Sequence, residues 1–388
     1  MNATQQRGVW LAAILSAVWL TACGGPDVGV SDEEILIGTW APMTGQLSYL
    51  SGVTKGMEAY FQHVNDQGGI HGRKLRLIVK DDNYDPARTP EVVKELIEQD
   101  RVFGILGGTG TESCLSVQEY LGNKFIPWVN PGSASRRMTT PTQAGIFSIL
   151  PTNLTEARIL ARHAVEDFKA EKVGLFYQDD PFGREGQEGV DLGLGDVKKK
   201  IAVALPHSVS EKDMSTHAQK FKDAEVDTVI LLANPAKAAL LLAEFEKLDF
   251  RPKLLGTEIL ADPLMFELAG EMWEGAVVAT GVPDPNSDEP GVVQAREILA
   301  KYGSGESLGT FTLMGISWAQ LLAEGLQQAG EDLTRIRLIY ALENLTYSDN
   351  VLGVTYEFTP ESHHGFDAVR LMRAEEGQYV YLTDWIRS

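Results

Sequence analysis

From Ile35 onward, short apolar runs of strand length alternate with amphipathic helical stretches. Ile35–Trp40, Lys74–Asp82, Phe103–Leu106, Ile126–Val129, Val173–Tyr177, Ala202–Leu205, Thr228–Leu232, Leu254–Thr257 and Ala276–Thr280 read as strands. Between them, Gly56–Val64, Pro90–Gln99, Leu154–Phe168, Met214–Asp223 and Ala236–Leu248 place apolar residues at three- and four-residue spacing, the period of a helix with one buried face. Strands that alternate with helices form parallel sheets covered on both faces. These strands are too many for one comfortable sheet, so the expectation is an α/β protein of two lobes. Phe311–Ala329 and Leu333–Leu345 read as further helices. The tail changes character: Val354–Phe358, Ala368–Arg373 and Tyr379–Leu382 read as strands joined by turns.

The first residues follow a different logic. Residues 1–22 carry one basic residue, Arg7, and no acid. The apolar run Val9–Leu20 is shorter than the roughly 20 residues that span a bilayer, and small residues follow it. Leu20-Thr21-Ala22-Cys23 resembles a bacterial lipobox, which implies cleavage after residue 22 and a lipid on Cys23. Residues 23–33 are then a tether rich in Gly, Pro and Asp. The expected location is the periplasmic or cell-surface side of a bacterial membrane, with the chain anchored by lipid at Cys23. The chain without residues 1–22 holds 33 basic and 54 acidic residues, a net charge of −21. Such a charge argues against nucleic acid and against adhesion to anionic lipid, leaving the anchor as the membrane link. With Cys23 lipidated, Cys114 has no partner for an internal disulfide and reads as a buried bystander.

Motifs of chemistry are few. Gly108-Thr109-Gly110-Thr111-Glu112-Ser113 follows a strand and opens a helix, but Ser113 stands where a dinucleotide fingerprint has its third glycine. No cofactor is expected. The turn still offers free backbone N–H groups at a helix N-terminus, which suit a small anion such as a carboxylate. Gly315-Ile316-Ser317-Trp318-Ala319 lies within a helical pattern and lacks the strand and sharp turn of a nucleophile elbow. His363-His364 has no metal-ligand spacing. Lys198-Lys199-Lys200 reads as a solvated helix end, and Asp179-Asp180 before Pro181 as a helix cap. No catalytic residue and no metal site emerge.

Several ordered motifs carry a resemblance. They are Ile35-Leu36-Ile37-Gly38, Met43-Thr44-Gly45, Gly56-Met57-Glu58-Ala59, Asn65-Asp66-Gln67-Gly68-Gly69-Ile70-His71-Gly72-Arg73-Lys74-Leu75, Asp81-Asp82-Asn83-Tyr84-Asp85-Pro86 and Tyr177-Gln178-Asp179-Asp180-Pro181-Phe182-Gly183. In this order they resemble the leucine/isoleucine/valine-binding family, the type I periplasmic solute-binding proteins of ABC importers. The resemblance implies two Rossmann-like lobes joined by three hinge crossovers, with a ligand in the cleft. Lobe 1 would take 35–150 and 282–350, and lobe 2 would take 151–281 and 351–388. Among the residues implied to bind the ligand, Tyr49 covers it from the loop after the first strand. Thr109, Gly110 and Thr111 hold its carboxylate, and Ser133 and Ser135 stand in the next loop. Phe182 and Asn234 come from lobe 2, and Glu258 pairs with an ammonium group. The chain departs from the family at Asn234, where an aromatic is common, and in the loop 150–156. That loop offers only Glu156, which also reads as the capping-box partner of Asn153.

The function implied is capture of an amino acid, branched-chain or a related small carboxylate, for an ABC permease and ATPase, by a monomer without chemistry of its own. A sensor using the same cleft is the second reading. An enzyme on a doubly wound fold is the third, and it lacks a nucleophile, metal cluster or complete fingerprint.

Overall fold

A computed structural model describes residues 27–387, and in it the alternation resolves into two sheets. The first holds β1 (Glu34–Ala41), β2 (Lys74–Asp81), β3 (Gly104–Leu106), β4 (Trp128–Val129) and β5 (Ile146–Phe147), in the order β2-β1-β3-β4-β5. All its pairings are parallel. The second holds β6 (Val173–Gln178), β7 (Val203–His207), β8 (Thr228–Leu232), β9 (Lys253–Gly256) and β10 (Val277–Thr280). A short hairpin, β11 (Thr346–Asp349) with β12 (Val354–Glu357), stands apart from both sheets. Last come β13 (Arg370–Glu375) and β14 (Gln378–Tyr381), which pair antiparallel at the β10 edge of the second sheet. The order β7-β6-β8-β9-β10 repeats that of the first sheet. Each sheet therefore has a point where strand order reverses, between β1 and β3 and between β6 and β8, and the crevice at such a point is where α/β sheets bind ligands.

The helices are α1 (Gly52–Asp66), α2 (Thr89–Glu98), α3 (Thr111–Asn123), α4 (Asn153–Glu166), α5 (Pro181–Asp196), α6 (Ser215–Asp223), α7 (Pro235–Lys247), α8 (Leu264–Ala269), α9 (Pro290–Tyr302), α10 (Thr310–Ala329) and α11 (Arg335–Glu343). They cover both faces of each sheet. On the first sheet, Trp40, Val93, Leu96 and Trp128 form the core of one face, and Ile37, Met57, Leu106 and Ile316 that of the other. On the second, Leu231, Leu242 and Trp273 lie on one side and Leu160, Leu175 and Val190 on the other.

Core membership also shows where the chain passes between the halves. Leu150 packs with the first half and Ala157 with the second; Ala279 with the second and Val282 with the first; Ala368 with the first and Val369 with the second. Val354, Tyr356 and Phe358 are buried in the first core. The segment 351–368 thus packs with the first half, although the tail from 351 was expected with the second lobe. The apolar alternation of Val354, Tyr356 and Phe358 matches a strand on either sheet, so the pattern alone does not choose.

Two elements are less visible in the sequence. β5 is only two residues long. α5 carries Gly183, Gly186, Gly189 and Gly193, which lower its helix propensity. These glycines serve packing: a Cβ on Gly189 would lie 2.4 Å from the Leu154 carbonyl oxygen, and one on Gly193 2.3 Å from that of Arg158. The backbones of α4 and α5 therefore nearly touch.

α1 and α10 meet in the same way. A Cβ on Gly56 would lie 2.1 Å from the Thr312 carbonyl oxygen. Gly→Ala inside a helix normally stabilises by about 1 kcal/mol. At Gly56 the overlap reverses the sign, and Gly56→Ala should destabilise by about 2–3 kcal/mol. Urea unfolding followed by circular dichroism measures it, and a stabilised variant would contradict this packing.

Candidate functional site

Where the strands of the two sheets end, loops from both halves enclose a cleft of about 800 Å³ including its open mouth. That size suits a small organic ligand. Its wall from the first half begins with Leu50 and Val53, at the turn into α1. The turn after β3 adds Thr109, Gly110 and Thr111, and the loop after β4 adds Gly132, Ser133 and Ala134. The second half contributes Gln178 at the end of β6 and Phe182 after it, Asn234 after β8, and Glu258 and Ile259 after β9. Phe311, Met314 and Trp318 of α10 close the apolar side.

The turn 107–110 is shaped by close approach. Gly108 has φ +85°, and a Cβ there would strike the Trp40 ring at 2.4 Å. Gly110, with φ +102°, is the N-cap of α3 and carries no side-chain cap. The first N–H groups of α3 are thus presented without a side-chain acceptor, beside the Thr111 hydroxyl. Ser133 donates its hydroxyl to Thr111 Oγ1 at 3.2 Å. This end of the cleft is fit for a carboxylate.

Two acids stand in the wall of the second half. Glu258 begins a short 3-10 turn after β9 and is buried. Its Oε2 accepts from the Gly281 N–H at 2.7 Å. Glu156, in the first turn of α4, is also buried, and its Oε2 accepts from the Glu258 N–H at 3.1 Å. Burial pushes the Glu156 carboxyl well above the ordinary carboxylate range, and the neighbouring Glu258 pushes it further. Burial raises Glu258 as well, against the hydrogen bond from Gly281. Among the described residues, no Lys or Arg lines the cleft. Two neighbouring buried acids without a cation cannot both ionise cheaply, so each is biased toward its neutral form.

The expected site residues distribute as follows. Thr109, Gly110, Thr111, Ser133, Phe182, Asn234 and Glu258 all line the cleft. Tyr49 stands behind this wall; its ring meets Phe311 at 6.0 Å and its hydroxyl donates to Asn234 Oδ1 at 3.4 Å, across the two halves. Asn234 also caps α7, accepting from the Lys237 N–H at 3.1 Å. Ser135 turns away from the cleft and donates to Glu185 Oε2 at 2.5 Å. Glu156 is no capping-box partner of Asn153, because Thr152 caps α4 by accepting from the Thr155 N–H at 3.1 Å. The Glu156 carboxylate is free to turn toward Glu258 instead. Asp180 caps α5 as its position before Pro181 implies.

Other groups met in the sequence are structural. Ser317 is buried and donates to Asp349 Oδ2 at 2.6 Å. The His363 ring stacks on Phe147 with centroids 4.1 Å apart, and His364 Nε2 donates to the Leu150 carbonyl oxygen at 2.8 Å. Cys114 is buried, its Sγ 3.5 Å from the Gly108 carbonyl oxygen. The lysines 198–200 follow the end of α5 and are exposed. Cys23 and the lipobox lie outside the described residues.

Sequence reasoning overlooked Tyr84, Gln178, Trp318 and Asn153 in the wall and undervalued Glu156. Tyr84 had a signal in Asp81-Asp82-Asn83-Tyr84-Asp85-Pro86. Asp81 accepts from the N–H groups of Met43 and Asn83 at 3.0 and 2.8 Å, and Asp82 accepts from that of Tyr84 at 3.1 Å. These bonds fold the loop so that Tyr84, with φ 55°, reaches the cleft.

Comparisons agree with this geometry. A family model described as "Periplasmic binding protein" matches residues 34–378. The chain is 24% identical over 333 residues to a Leu/Ile/Val-binding protein homolog 1 of Brucella abortus, covering 86% of each chain. Among solved structures, the fatty acid ABC transporter substrate-binding protein from Thermomonospora curvata superposes with a TM-score of 0.84 at 21% identity, covering 94% of this chain and 95% of that one. A branched chain amino acid ABC transporter protein from Thermus thermophilus with bound valine gives a TM-score of 0.83 at 22% identity, covering 92% and 98%.

The raised carboxyls have a consequence for stability. A carboxyl raised in the native state binds more protons there than in the unfolded chain. Its contribution to stability therefore falls as pH rises from the unfolded value, about 4.3, through the native one. Glu258→Gln keeps the shape and the acceptor for Gly281 but removes this penalty. Relative to the wild type, the unliganded variant should gain at least ~1 kcal/mol between pH 5 and pH 8, less than one pKa unit's worth. Parallel stability profiles of the two proteins against pH would show that Glu258 is not held in its uncharged form.

Proposed function

The chain belongs to the periplasmic binding protein family, and we propose that it captures an α-amino acid in the cleft and delivers it to an ABC importer. The family is one of binding proteins and not of enzymes. The observation that carries the amino-acid reading is the pair Glu156 and Glu258 in a cleft whose other polar end is the Thr109–Thr111 turn and Ser133. An α-amino acid has the complementary charges. Its carboxylate suits the N–H groups of α3 and the hydroxyls, and its ammonium suits the two acids. Leu50, Val53, Phe311, Met314 and Trp318 offer an apolar surface to an aliphatic or aromatic side chain. Glu156, the one acid the loop 150–156 offers, serves as the second acid of the pair on this reading, since Thr152 and not Glu156 completes the cap of α4. A fatty acid would bring no cation to the pair, which weighs against that ligand class here.

We assign lobe 1 to 35–150 and 282–368 and lobe 2 to 151–281 and 369–388, with the cleft between them closing on the ligand by hinge motion. The permease would read the closed form. Leu20-Thr21-Ala22-Cys23 supports a lipid anchor at Cys23 on the periplasmic or cell-surface side of a bacterial membrane. The Cys23→Ser protein should then lose its acyl chains.

A thermal-shift screen against amino acids, fatty acids and aromatic acids tests the ligand class. A true ligand at 100 times its dissociation constant adds about 2.7 kcal/mol of stability. For an amino acid that binds, Glu258→Gln should weaken affinity at least about 30-fold, the low end for breaking a buried charged pair. Equal affinities by titration calorimetry would move the ammonium site elsewhere.

A further inference from the structure

Ser133 faces the cleft, but the loop that carries it also reaches across to the second half. Ser135 donates its hydroxyl to Glu185 Oε2 at 2.5 Å, and the Arg136 backbone N–H donates to Glu185 Oε1 at 2.8 Å. Glu185 belongs to α5, one turn beyond Phe182. It is 6% exposed and is not part of the cleft wall. Both of its carboxylate oxygens are thus held by the opposite half. We propose that Glu185 is a closure latch: gripped by Ser135 and the Arg136 N–H, it shifts the open–closed equilibrium toward the closed form even with the cleft empty, so that a ligand completes a closure already partly populated, and it tunes affinity without touching the ligand.

Three features favour a latch over an incidental contact. Burial raises the Glu185 carboxyl, but the bonds from Ser135 and the Arg136 N–H oppose that rise. With both oxygens accepting, the group is held as a carboxylate, whose bonds are the strong ones, shielded here from water. The neighbouring ion pair between Arg136 and Glu188, at 2.8 Å, has both side chains nearly half exposed and contributes little. Finally, each side of the latch is mechanically joined to the cleft. The Ser135 N–H donates to Ser133 Oγ at 3.3 Å, and the Asn153 N–H donates to the Ala134 carbonyl oxygen at 2.8 Å, so the loop is tied both to the Thr111 end and to the first crossover. On the other side, Phe182 and Glu185 share the first turns of one helix. A ligand that orders Ser133 and Phe182 would therefore align Ser135 with Glu185. In its effect on affinity the latch rests on the receptor reading proposed above; its effect on shape does not.

Small-angle scattering of the unliganded protein tests the shape directly, with circular dichroism confirming that each variant is folded. Glu185→Ala and Ser135→Ala should both raise the radius of gyration above that of the wild type. Glu185→Gln, which keeps one acceptor, should fall between. Arg136→Ala removes only the exposed ion pair, keeps the N–H, and should leave the radius unchanged. An unchanged radius in folded Glu185→Ala overturns the latch. Titration with L-leucine reads the affinity. Apparent affinity scales with the closed fraction, so Glu185→Ala should bind at least about tenfold more weakly, and Arg136→Ala within about threefold of the wild type. If L-leucine binds none of the forms, leucine is not the ligand and the titration is made with an amino acid that the thermal-shift screen identifies, while the scattering comparison still decides the latch; if no amino acid binds, the amino-acid reading is at fault.

Discussion

Glu156 and Glu258 meet where the crossovers between the halves run side by side. Glu258 accepts from Gly281, in the second crossover, and a Cβ on Gly281 would lie 2.8 Å from the Pro151 ring of the first. The third crossover joins them through Asp367, which accepts from the Thr152 N–H at 3.0 Å and the Thr155 hydroxyl at 2.9 Å. Two buried acids at a hinge are costly by themselves, because burial favours their neutral forms. On the proposed reading, an ammonium group offsets that cost when the ligand arrives. The molecule would then be most strained when empty, at the point about which its lobes move. Stability is given up at the site where binding recovers it.

The twin strand orders explain why such a site can be built at all. Both sheets present their strand ends to the same crevice, each at its own reversal point. The first sheet contributes a helix N-terminus and hydroxyls, and the second contributes acids. On the proposed reading, the two polar ends of one ligand are served by different lobes, and since neither lobe alone offers both, a bound ligand favours the closed form.

Much of this was legible in the sequence, for a physical reason. The strand and helix periods are set by backbone geometry and burial, so the runs from Ile35 to Thr280 appear as strands within a few residues of their observed bounds. The motif Asn65–Leu75, one of those that carry the family resemblance, proved to be structural. Asn65 exchanges two hydrogen bonds with the Leu75 backbone, and a Cβ on Gly69 would meet the Arg73 carbonyl oxygen at 2.0 Å. No residue of that turn lines the cleft. The site was less legible, since its members depend on which way a loop turns. Ser133 and Ser135 are two residues apart and of one type, yet one faces the cleft and the other faces Glu185. Glu156 looked like a cap because its spacing from Asn153 fits one, and only the fold brings it to a residue more than a hundred positions away. The glycines of α5 hid a helix because their use lies in packing against α4.

On the proposed reading, the acid pair receives the ammonium of an amino acid and ionises as it does so, releasing a proton. Titration calorimetry at pH 6.5, repeated in buffers of different ionisation enthalpy, reads that proton directly. For an amino acid identified as a ligand, the account predicts release of roughly one proton for each ligand bound, and affinity that rises with pH from 5 to 8. A binding enthalpy independent of the buffer, with affinity flat across that range, would contradict it.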